Sequence, residues 1–414
     1  MKKKEEIMED ENIDTKKEIV TIKKEGFSYP EMVIIMIIAI LFGFLIGNVV
    51  SFTKKETTNS SVPSELKEFV DTYNDIVNNY YDKVNKEELI DAGIKGMINY
   101  LDDPYATYFD GTSSTNFNQT LEGNYEGIGI EVTLDNKKVK ITKVFADTPA
   151  KKAGIKVGDY ITKVNAESVE GKSLSDVVSL IKNAKNKEVE ITITRDNQEK
   201  AMKVTRTTVD MPYTSSKVYE EKGKKIGYLK IEMFSNNITK QVKKELESLK
   251  KKNIDKLVID VRDNPGGYLT QVTEILSLFM TKKDVIYQLQ TKNNKEKVYS
   301  TSSKATYSYP VVVLINENSA SASEILASAF KETYNAEIVG VNSYGKGTVQ
   351  KTGDLNNGDT IKYTVQKWLT PKGNWINEKG VTPTKEVKLE LKENEILTED
   401  NDNQLKAAIE LASK

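Results

Sequence analysis

Three short motifs in the second half of the sequence carry residues that could hydrolyse an acyl bond. They are residues 260–267 (DVRDNPGG), 318–325 (NSASASEI) and 344–350 (YGKGTVQ). The 414 residues include no histidine and no cysteine, which excludes a Ser-His-Asp triad and a thiolate nucleophile. Metal sites built on His or thiolate are excluded as well. A hydrolase of this composition must therefore activate Ser, Thr or water with Lys, Asp, Glu or Tyr.

The first motif ends in Pro265-Gly266-Gly267, directly after an apolar segment that is typical of a buried strand. Such a turn lets the backbone approach a ligand closely and leaves N–H groups free to donate. These are the donors that an oxyanion hole needs. The alternative interpretation is a tight connection between a strand and a helix.

The second motif carries three serines between a predicted strand and a predicted helix. A nucleophile at a helix N-terminus has helix N–H groups and the helix dipole facing a developing oxyanion. The alternative is structural, because Ser321 followed by Glu324 is a capping box that any helix could use.

The third motif places Lys346 between two glycines. A lysine that acts as a general base must be neutral, yet free lysine titrates near 10.4. Lowering its pKa to about 7 requires roughly 4.6 kcal/mol, which burial beside a helix N-terminus can supply. The alternatives are an ordinary surface turn and a phosphate loop. The sequence lacks the full Walker spacing, and neither Ser nor Thr follows the lysine.

Alternating strands and helices must position these motifs. From about residue 209 the sequence predicts strands at 226–234, 257–261 and 311–315, and helices near 238–252, 270–281 and 321–334. This βα alternation predicts an α/β core.

A different pattern precedes that core. Residues 123–206 alternate in short strands with one helix at 174–183, and they contain Pro149 to Ile161 (PAKKAGIKVGDYI). Gly127-Ile128-Gly129 can point successive N–H groups at one carboxylate, and Ile128 and Ile130 would line a groove against the helix. Over about 85 residues this pattern resembles a PDZ domain. The alternative is a β-rich structural domain in which the glycines mark a bulge.

The N-terminal part predicts a membrane anchor. Residues 32–50 form an uncharged stretch of about 28 Å as a helix, close to a bilayer core of roughly 30 Å. A buried core helix and a cleaved signal peptide are the alternatives, but the stretch is too long for a signal and has no cleavage site. Four lysines precede it nearby and three follow, which favours a cytoplasmic N-terminus. Helical spacing then continues from Glu65 to Tyr100.

Charge excludes one class of partner. Lys and Arg number 60 against 61 Asp and Glu, so no basic field exists to hold nucleic acid. Only three of the cations are arginine, the better phosphate reader.

In this order and behind a PDZ-like pattern, the three motifs resemble those of the C-terminal processing peptidases, or tail-specific proteases, which use a Ser-Lys pair. The resemblance runs from about residue 66 to 385 and includes Leu101 to Tyr105 (LDDPY) and Gly380 to Pro383 (GVTP). It implies Ser321 as nucleophile, Lys346 as base and Gln350 as the residue that orients the lysine. It also implies an oxyanion hole from the N–H groups of Gly267 (or Gly266) and Ala322. The residues alone leave Ser319 and Ser323 open as nucleophiles.

The resemblance implies a multidomain fold of α/β and α+β parts, with a crotonase/Clp-protease-like peptidase core. The expected segments follow one another along the chain. They are a cytoplasmic tail (1–31), a transmembrane anchor (32–50), a linker (51–64), an N-terminal helical region (65–117), a PDZ domain (118–208), the peptidase core (209–390) and a C-terminal helical tail (391–414).

We therefore expect a membrane-anchored serine endopeptidase outside the cytoplasm that captures apolar C-terminal tails at Gly127, Ile128, Gly129 and Ile130. No metal, cofactor or nucleic acid is expected, and a homo-oligomer or a regulatory adaptor is compatible with the sequence. Lys182 occupies a position that is often held by an arginine in relatives whose PDZ domain gates the active site. The alternatives are a non-catalytic PDZ scaffold and a crotonase-like acyl-CoA enzyme.

Overall fold

A computed structural model describes residues 63–392 and 395–414. The predicted tail at 1–31, the anchor at 32–50 and nearly all of the linker lie outside these residues. Among the described residues, no helix combines the length and apolar character needed to cross a bilayer.

Two compact units divide the chain between Leu89 and Ile90. In the first, a 3-10 turn (Ser64–Leu66) leads into helix α1 (Lys67–Asn79). Helix α2 (Lys86–Tyr100) begins in the first unit and ends in the second. The helical spacing identified over Glu65 to Tyr100 corresponds to these two helices, and residues 80–85 connect them.

The PDZ-like part of the second unit is an antiparallel sheet with one main helix. Its sheet order is β3-β4-β5-β7-β8, with β6 paired to β5, while β2 pairs with β9. The elements are α3 (Gly111–Glu122), β2 (Asn124–Gly127), β3 (Ile130–Asp135), β4 (Lys138–Val144), α4 (Pro149–Lys152), β5 (Tyr160–Val164), β6 (Glu167–Ser168), α5 (Leu174–Lys182), β7 (Glu188–Arg195), β8 (Gln198–Thr205) and β9 (Thr207–Asp210).

A largely parallel sheet forms the centre of the remaining part. Its order is β10-β11-β12-β15-β16-β19, and only the β10-β11 pair is antiparallel. The elements are β10 (Thr214–Glu221), β11 (Lys224–Ile231), α6 (Ile238–Lys251), β12 (Lys256–Asp260), α7 (Leu269–Leu276), β15 (Val311–Ile315), α8 (Ala322–Glu332), β16 (Glu337–Gly340), β19 (Lys385–Glu386) and α9 (Asn403–Ala412).

A second sheet completes this part. It joins a strand from far upstream to four strands of the core in the order β1-β18-β13-β14, with β17 also paired to β18. The strands are β1 (Thr107–Phe109), β13 (Val285–Gln290), β14 (Lys295–Tyr299), β17 (Thr348–Asp354) and β18 (Thr360–Leu369).

Burial explains why the central strands are uniformly apolar. Every residue of β15 is buried, because helices cover both faces of a parallel sheet. On one face α6 packs Val242, Leu246 and Leu249 against it at helical spacing. On the other face α9 contributes Leu405, Ala408 and Ala412.

The boundaries differ slightly from those expected. The strand expected at 226–234 ends at Ile231, and the helix expected at 270–281 ends at Leu276. Beyond both ends the chain continues outside the named strands and helices, although Phe234 and Phe279 of these segments are buried in the core. The α/β alternation itself is confirmed.

Candidate active site

The three motifs meet because they follow three neighbouring parallel strands. β12 precedes residues 261–268, β15 precedes 316–321, and β16 precedes the segment that contains Lys346. β12 pairs with β15, and β15 pairs with β16. Since parallel strands end at the same edge of a sheet, their following loops lie side by side.

Hydrogen bonds join the first two loops. Asn264 lies fully buried, and its carbonyl oxygen accepts from Ala320 N at 3.0 Å and from Ser323 Oγ at 2.9 Å. Asp263 Oδ1 accepts from the side-chain amides of Asn316 and Asn318 at 2.8 and 2.9 Å. The glycine turn and the serine motif are therefore held as one rigid edge.

Ser321 occupies the strained position at the start of helix α8. Its φ is 55° and its ψ is −112°, a backbone conformation that non-glycine residues rarely adopt. Such strain persists only where the surroundings fix it, and it is common at catalytic residues. Ser321 is partly accessible, whereas the following residues of the helix are buried.

The two competing serines have structural roles. Ser319 is fully buried, and its hydroxyl donates to the Val261 carbonyl at 2.8 Å. Ser323 is also fully buried and donates to the Asn264 carbonyl. A substrate carbonyl reaches neither hydroxyl, so Ser321 is the serine of this motif that the fold leaves for chemistry.

The two glycine amides of the first motif differ. Gly266 N donates to Asn264 Oδ1 at 2.9 Å, so this amide is already occupied. Within residues 63–392 and 395–414, the N–H groups of Gly267 and Ala322 have no acceptor. Gly267, rather than Gly266, is therefore the glycine whose amide can stabilise an oxyanion together with Ala322.

Gly266 is required at its position for another reason. Its φ is +104°, and a Cβ there would lie 2.8 Å from the Ala320 carbonyl oxygen and 2.9 Å from Ser321 Cβ. No side chain fits between the turn and the serine.

Glu324 connects the serine to the lysine segment. Its fully buried carboxylate accepts from Ser321 N (2.8 Å) and Lys346 N (2.9 Å) at Oε2. At Oε1 it accepts from Ser343 Oγ (2.6 Å) and Gly345 N (2.7 Å). Burial raises the pKa of Glu324, and these four donors oppose that rise. The capping-box residue identified from sequence thus also fixes the lysine backbone.

The Lys346 side chain is largely buried. Burial, and secondly the charge of Lys362, lower the pKa of Lys346 to about 8, while Asp103 and Glu324 act in the opposite direction. Its Nζ lies 4.7 Å from the ring centroid of Tyr105. No hydrogen bond joins Ser321 Oγ to Lys346 Nζ in the part of the chain described. Such contacts are often looser without substrate.

Two tryptophans fix the backbone around Lys346. Trp368 Nε1 donates to the Lys346 carbonyl at 2.7 Å, and Trp375 Nε1 donates to the Gly347 carbonyl at 2.9 Å. A Cβ at Gly347 would lie 2.6 Å from Trp375 Nε1. Gly347 is therefore needed for the contact with Trp375, whereas Gly345 packs against the backbone of Glu378 and Lys379 at a φ of +89°.

Gln350 is not hydrogen-bonded to the lysine. Its side-chain nitrogen donates to Thr348 Oγ1 at 2.9 Å and to Thr364 Oγ1 at 3.1 Å, across the β17-β18 pair. The orienting role that the resemblance implies for Gln350 remains a prediction.

The PDZ-like part contains the expected groove. Gly127, Ile128, Gly129 and Ile130 line it on one side, and α5 lines it on the other. Ile128 is buried in the domain core, while Ile130 is partly exposed. Lys182, at the end of α5, borders the groove and donates from Nζ to Gln119 Oε1 of α3 at 2.8 Å.

Sequence reasoning did not identify Lys362, Trp368 or Trp375 as site residues. The sequence distinguished these three residues by residue type alone. Lys362 is one of many lysines, and Trp368 and Trp375 are the two tryptophans of the chain. Tyr105 did have a signal, because it belongs to the 101–105 segment that carries the family resemblance.

Comparison with protein families matches three regions of the chain. A family model for peptidase family S41 matches residues 225–387, and a PDZ domain model matches residues 127–205. A model for the N-terminal domain of the activating protease CtpB matches residues 47–113.

Individual relatives agree with these matches. The carboxy-terminal processing protease CtpB of Bacillus subtilis is 41% identical over 318 residues, which cover 76% of this chain and 66% of that protein. CtpA of the same organism is 36% identical over 351 residues, covering 84% of this chain and 73% of that protein. The solved photosystem II D1 C-terminal processing protease aligns with a TM-score of 0.45 and 26% identity over 79% of this chain and 94% of that one.

Proposed function

The chain belongs to the family of the carboxy-terminal processing proteases, and on this basis we propose that it hydrolyses peptide bonds with Ser321 and Lys346. The observation that carries the proposal is the shared carboxylate of Glu324, which binds the backbone N–H groups of both residues. This carboxylate holds the backbones of the serine and the lysine, which are 25 positions apart in sequence, close together.

The first half of the reaction forms an ester. Ser321 Oγ attacks the peptide carbonyl carbon while its proton passes to neutral Lys346 Nζ. The N–H groups of Gly267 and Ala322 hold the resulting oxyanion. Collapse of the tetrahedral intermediate breaks the C–N bond, and Lys346 returns the proton to the leaving amine.

The second half regenerates the enzyme. Water attacks the ester carbon and gives its proton to Lys346. The same two amides hold the second oxyanion. When that intermediate collapses, the C–O bond to Ser321 breaks, the serine recovers its proton from the lysine, and the new carboxyl product leaves.

Hydrolysis of unfolded casein by the purified chain tests the chemistry. Ser321→Ala and Lys346→Met should each lose activity about 10³-fold or more while remaining folded. Lys250→Met is the matched control, because this exposed lysine of helix α6 also lies over a tyrosine ring, that of Tyr307, and should leave the rate unchanged. Full activity in Ser321→Ala would exclude the proposed nucleophile.

The groove beside α5 would select the substrate. Its apolar walls (Ile130, Val177, Ile181) suit an apolar C-terminal side chain, and the Gly127–Ile130 backbone suits a terminal carboxylate. We expect a reporter with a free apolar C-terminus to be degraded faster than the same reporter with an amidated end. Equal rates would contradict tail recognition.

A single-pass anchor at 32–50 would hold the enzyme at the membrane with the protease outside the cytoplasm. The absence of cysteine makes this testable, since Lys244→Cys, at an exposed position of helix α6, would introduce the one thiol of the chain. A membrane-impermeant maleimide should label this thiol in intact cells. Labelling only after lysis, or release of the intact chain by carbonate, would contradict the proposal.

A further inference from the structure

The glycine turn of the first motif is hydrogen-bonded to a neighbouring segment on both sides of Gly267. Phe234 N donates to the Gly266 carbonyl at 2.8 Å, and Tyr268 N donates to the Phe234 carbonyl at 2.8 Å. Gly267 lies between these two bonds, and a Cβ at this position would be 2.6 Å from the Phe234 carbonyl carbon. The direction of the Gly267 N–H group therefore depends on where the backbones of Phe234 and Tyr268 are held.

One carboxylate at the end of helix α3 binds both of these segments. Glu122 is the last residue of α3, and its Oε1 accepts from the Tyr268 hydroxyl at 3.2 Å while its Oε2 accepts from Asn236 Nδ2 at 2.9 Å. Tyr268 directly follows Gly267, and Asn236 lies two positions after Phe234. Burial and the charge of Glu122 raise the pKa of Tyr268, so its phenol remains protonated and can donate.

The backbone at the end of α3 is packed against the same segment. Asn236 N donates to the Leu121 carbonyl at 2.8 Å, and Asn237 Nδ2 donates to the Gly123 carbonyl at 2.9 Å. Gly123 ends the helix at a φ of +71°, where a Cβ would clash with the Asn237 side chain. These contacts hold Glu122 at a fixed place beside the glycine turn.

We propose that Glu122 is a positioning residue for the oxyanion hole: through Tyr268 and Asn236 it fixes the two segments that orient the Gly267 N–H group. The proposal rests on the proposed role of that amide in peptide hydrolysis. Glu122 lies in residues 114–126, which fall between the regions that the family models match. A charged acceptor forms stronger hydrogen bonds than a neutral one, and an oxyanion hole depends on donors that are held in place before the reaction.

Removing the tyrosine hydroxyl should slow the chemical step and leave substrate binding unchanged. In Tyr268→Phe the ring remains, but Glu122 loses the donor that links it to the glycine turn. Because the oxyanion forms only during the reaction, kcat should fall about tenfold while KM changes less than about twofold. Tyr307→Phe is the matched control, because it removes another tyrosine–glutamate hydrogen bond, from the Tyr307 hydroxyl to Glu247 Oε1 at 2.6 Å, which involves no residue of the proposed site.

The experiment uses the full chain in detergent, a fluorogenic peptide as substrate and an aldehyde of the same peptide as inhibitor. When the aldehyde binds, Ser321 Oγ bonds to its carbonyl carbon, the serine proton passes to Lys346, and the aldehyde oxygen becomes an oxyanion in the hole. In Tyr268→Phe the inhibition constant should rise by the factor by which kcat falls, about tenfold, whereas Tyr307→Phe should match the parent in both.

A double-mutant comparison tests whether the tyrosine acts through the carboxylate. Glu122→Ala loses its bond to Asn236 as well as its bond to Tyr268, so its kcat should be lower than that of Tyr268→Phe. The variant that combines both changes should be no slower than Glu122→Ala, because the second change removes a bond that is already lost.

The contrary outcomes are distinct. Parental kcat and inhibition constant in Tyr268→Phe, with or without a lower stability in urea, would give Tyr268 a structural role only and overturn the proposal. A higher KM with unchanged kcat would mean that the tyrosine contacts the substrate, and additive losses in the double variant would mean that it acts independently of Glu122. If the aldehyde does not inhibit the parent and Ser321→Ala retains full activity, the proposed function itself fails.

Discussion

The activity should follow the deprotonation of a single buried lysine. Burial lowers the pKa of Lys346 from 10.5 to about 8, and this difference corresponds to about 3 kcal/mol. At pH 7 about one molecule in ten then carries the neutral base, compared with about one in 3,000 for an ordinary lysine. Measuring the activity at different pH values therefore tests whether Lys346 is the base.

The sign of the pH dependence follows from the role of the base. Because only neutral Lys346 accepts the serine proton, kcat/KM rises with pH through the lysine pKa. The expected increase is nearly tenfold from pH 6 to 7, about fivefold from pH 7 to 8, and little above pH 9. A fluorogenic peptide without groups that titrate between pH 6 and 10 gives the profile at constant ionic strength.

A substitution at Lys362 separates the electrostatic cause from burial. The charge of Lys362 lowers the pKa of Lys346, so Lys362→Met should move the midpoint of the profile to higher pH. The loss of activity should be seen at pH 7 and recovered at high pH. Lys362→Arg keeps the charge, and its contacts with Phe109 and Phe117 suit a guanidinium equally, so its midpoint should not move.

Two kinds of result would contradict separate parts of this reasoning. A flat profile, or a midpoint above 10, would mean that Lys346 is not a buried base. A midpoint near 8 that does not move in Lys362→Met would confirm the base but assign its lowered pKa to burial alone.

Three further changes test the supports of the site. In Glu324→Gln the NH₂ group of the side-chain amide faces two of the four hydrogen-bond donors in either orientation of the amide. We therefore expect kcat/KM to fall about 10²-fold while the fold is retained. An unaltered rate would show that Glu324 does not connect the serine to the lysine segment. Gly266→Ala places a methyl group against Ser321 at a φ of +104° and should abolish casein hydrolysis; activity near that of the parent would show that the turn can move aside. Asp402→Ala leaves Arg262 paired only with Asp260, and urea unfolding should show a loss of about 2 kcal/mol, below the 3–5 kcal/mol typical of a fully broken buried pair, while hydrolysis at 25 °C continues.

Local sequence signals were sufficient for the main strands and helices of the core and for the family. The apolar segments at 257–261 and 311–315 are buried strands as expected, and the family predicted from the three motifs is confirmed. The motifs follow strands that end at one edge, so a βα pattern already implied that they could meet.

Contacts between residues that are distant in sequence could not be predicted from these local signals. The choice between Gly266 and Gly267 depends on where Asn264 points, and no spacing rule contains that direction. Likewise, Tyr105 and Lys346 are 241 positions apart, and only the folded chain brings their side chains together. Glu324 shows a mixed case, since its cap to Ser321 is local whereas its bonds to the lysine segment are not.

The intrinsic tryptophan fluorescence of this protein should report on the segment that contains Lys346. The chain has two tryptophans, and the indoles of both donate to carbonyls at Lys346 and Gly347. All of its intrinsic tryptophan emission therefore originates next to the proposed base. A rearrangement of that segment when a tail or substrate binds should change the emission without any attached dye, so stopped-flow fluorescence can time active-site assembly separately from peptide cleavage.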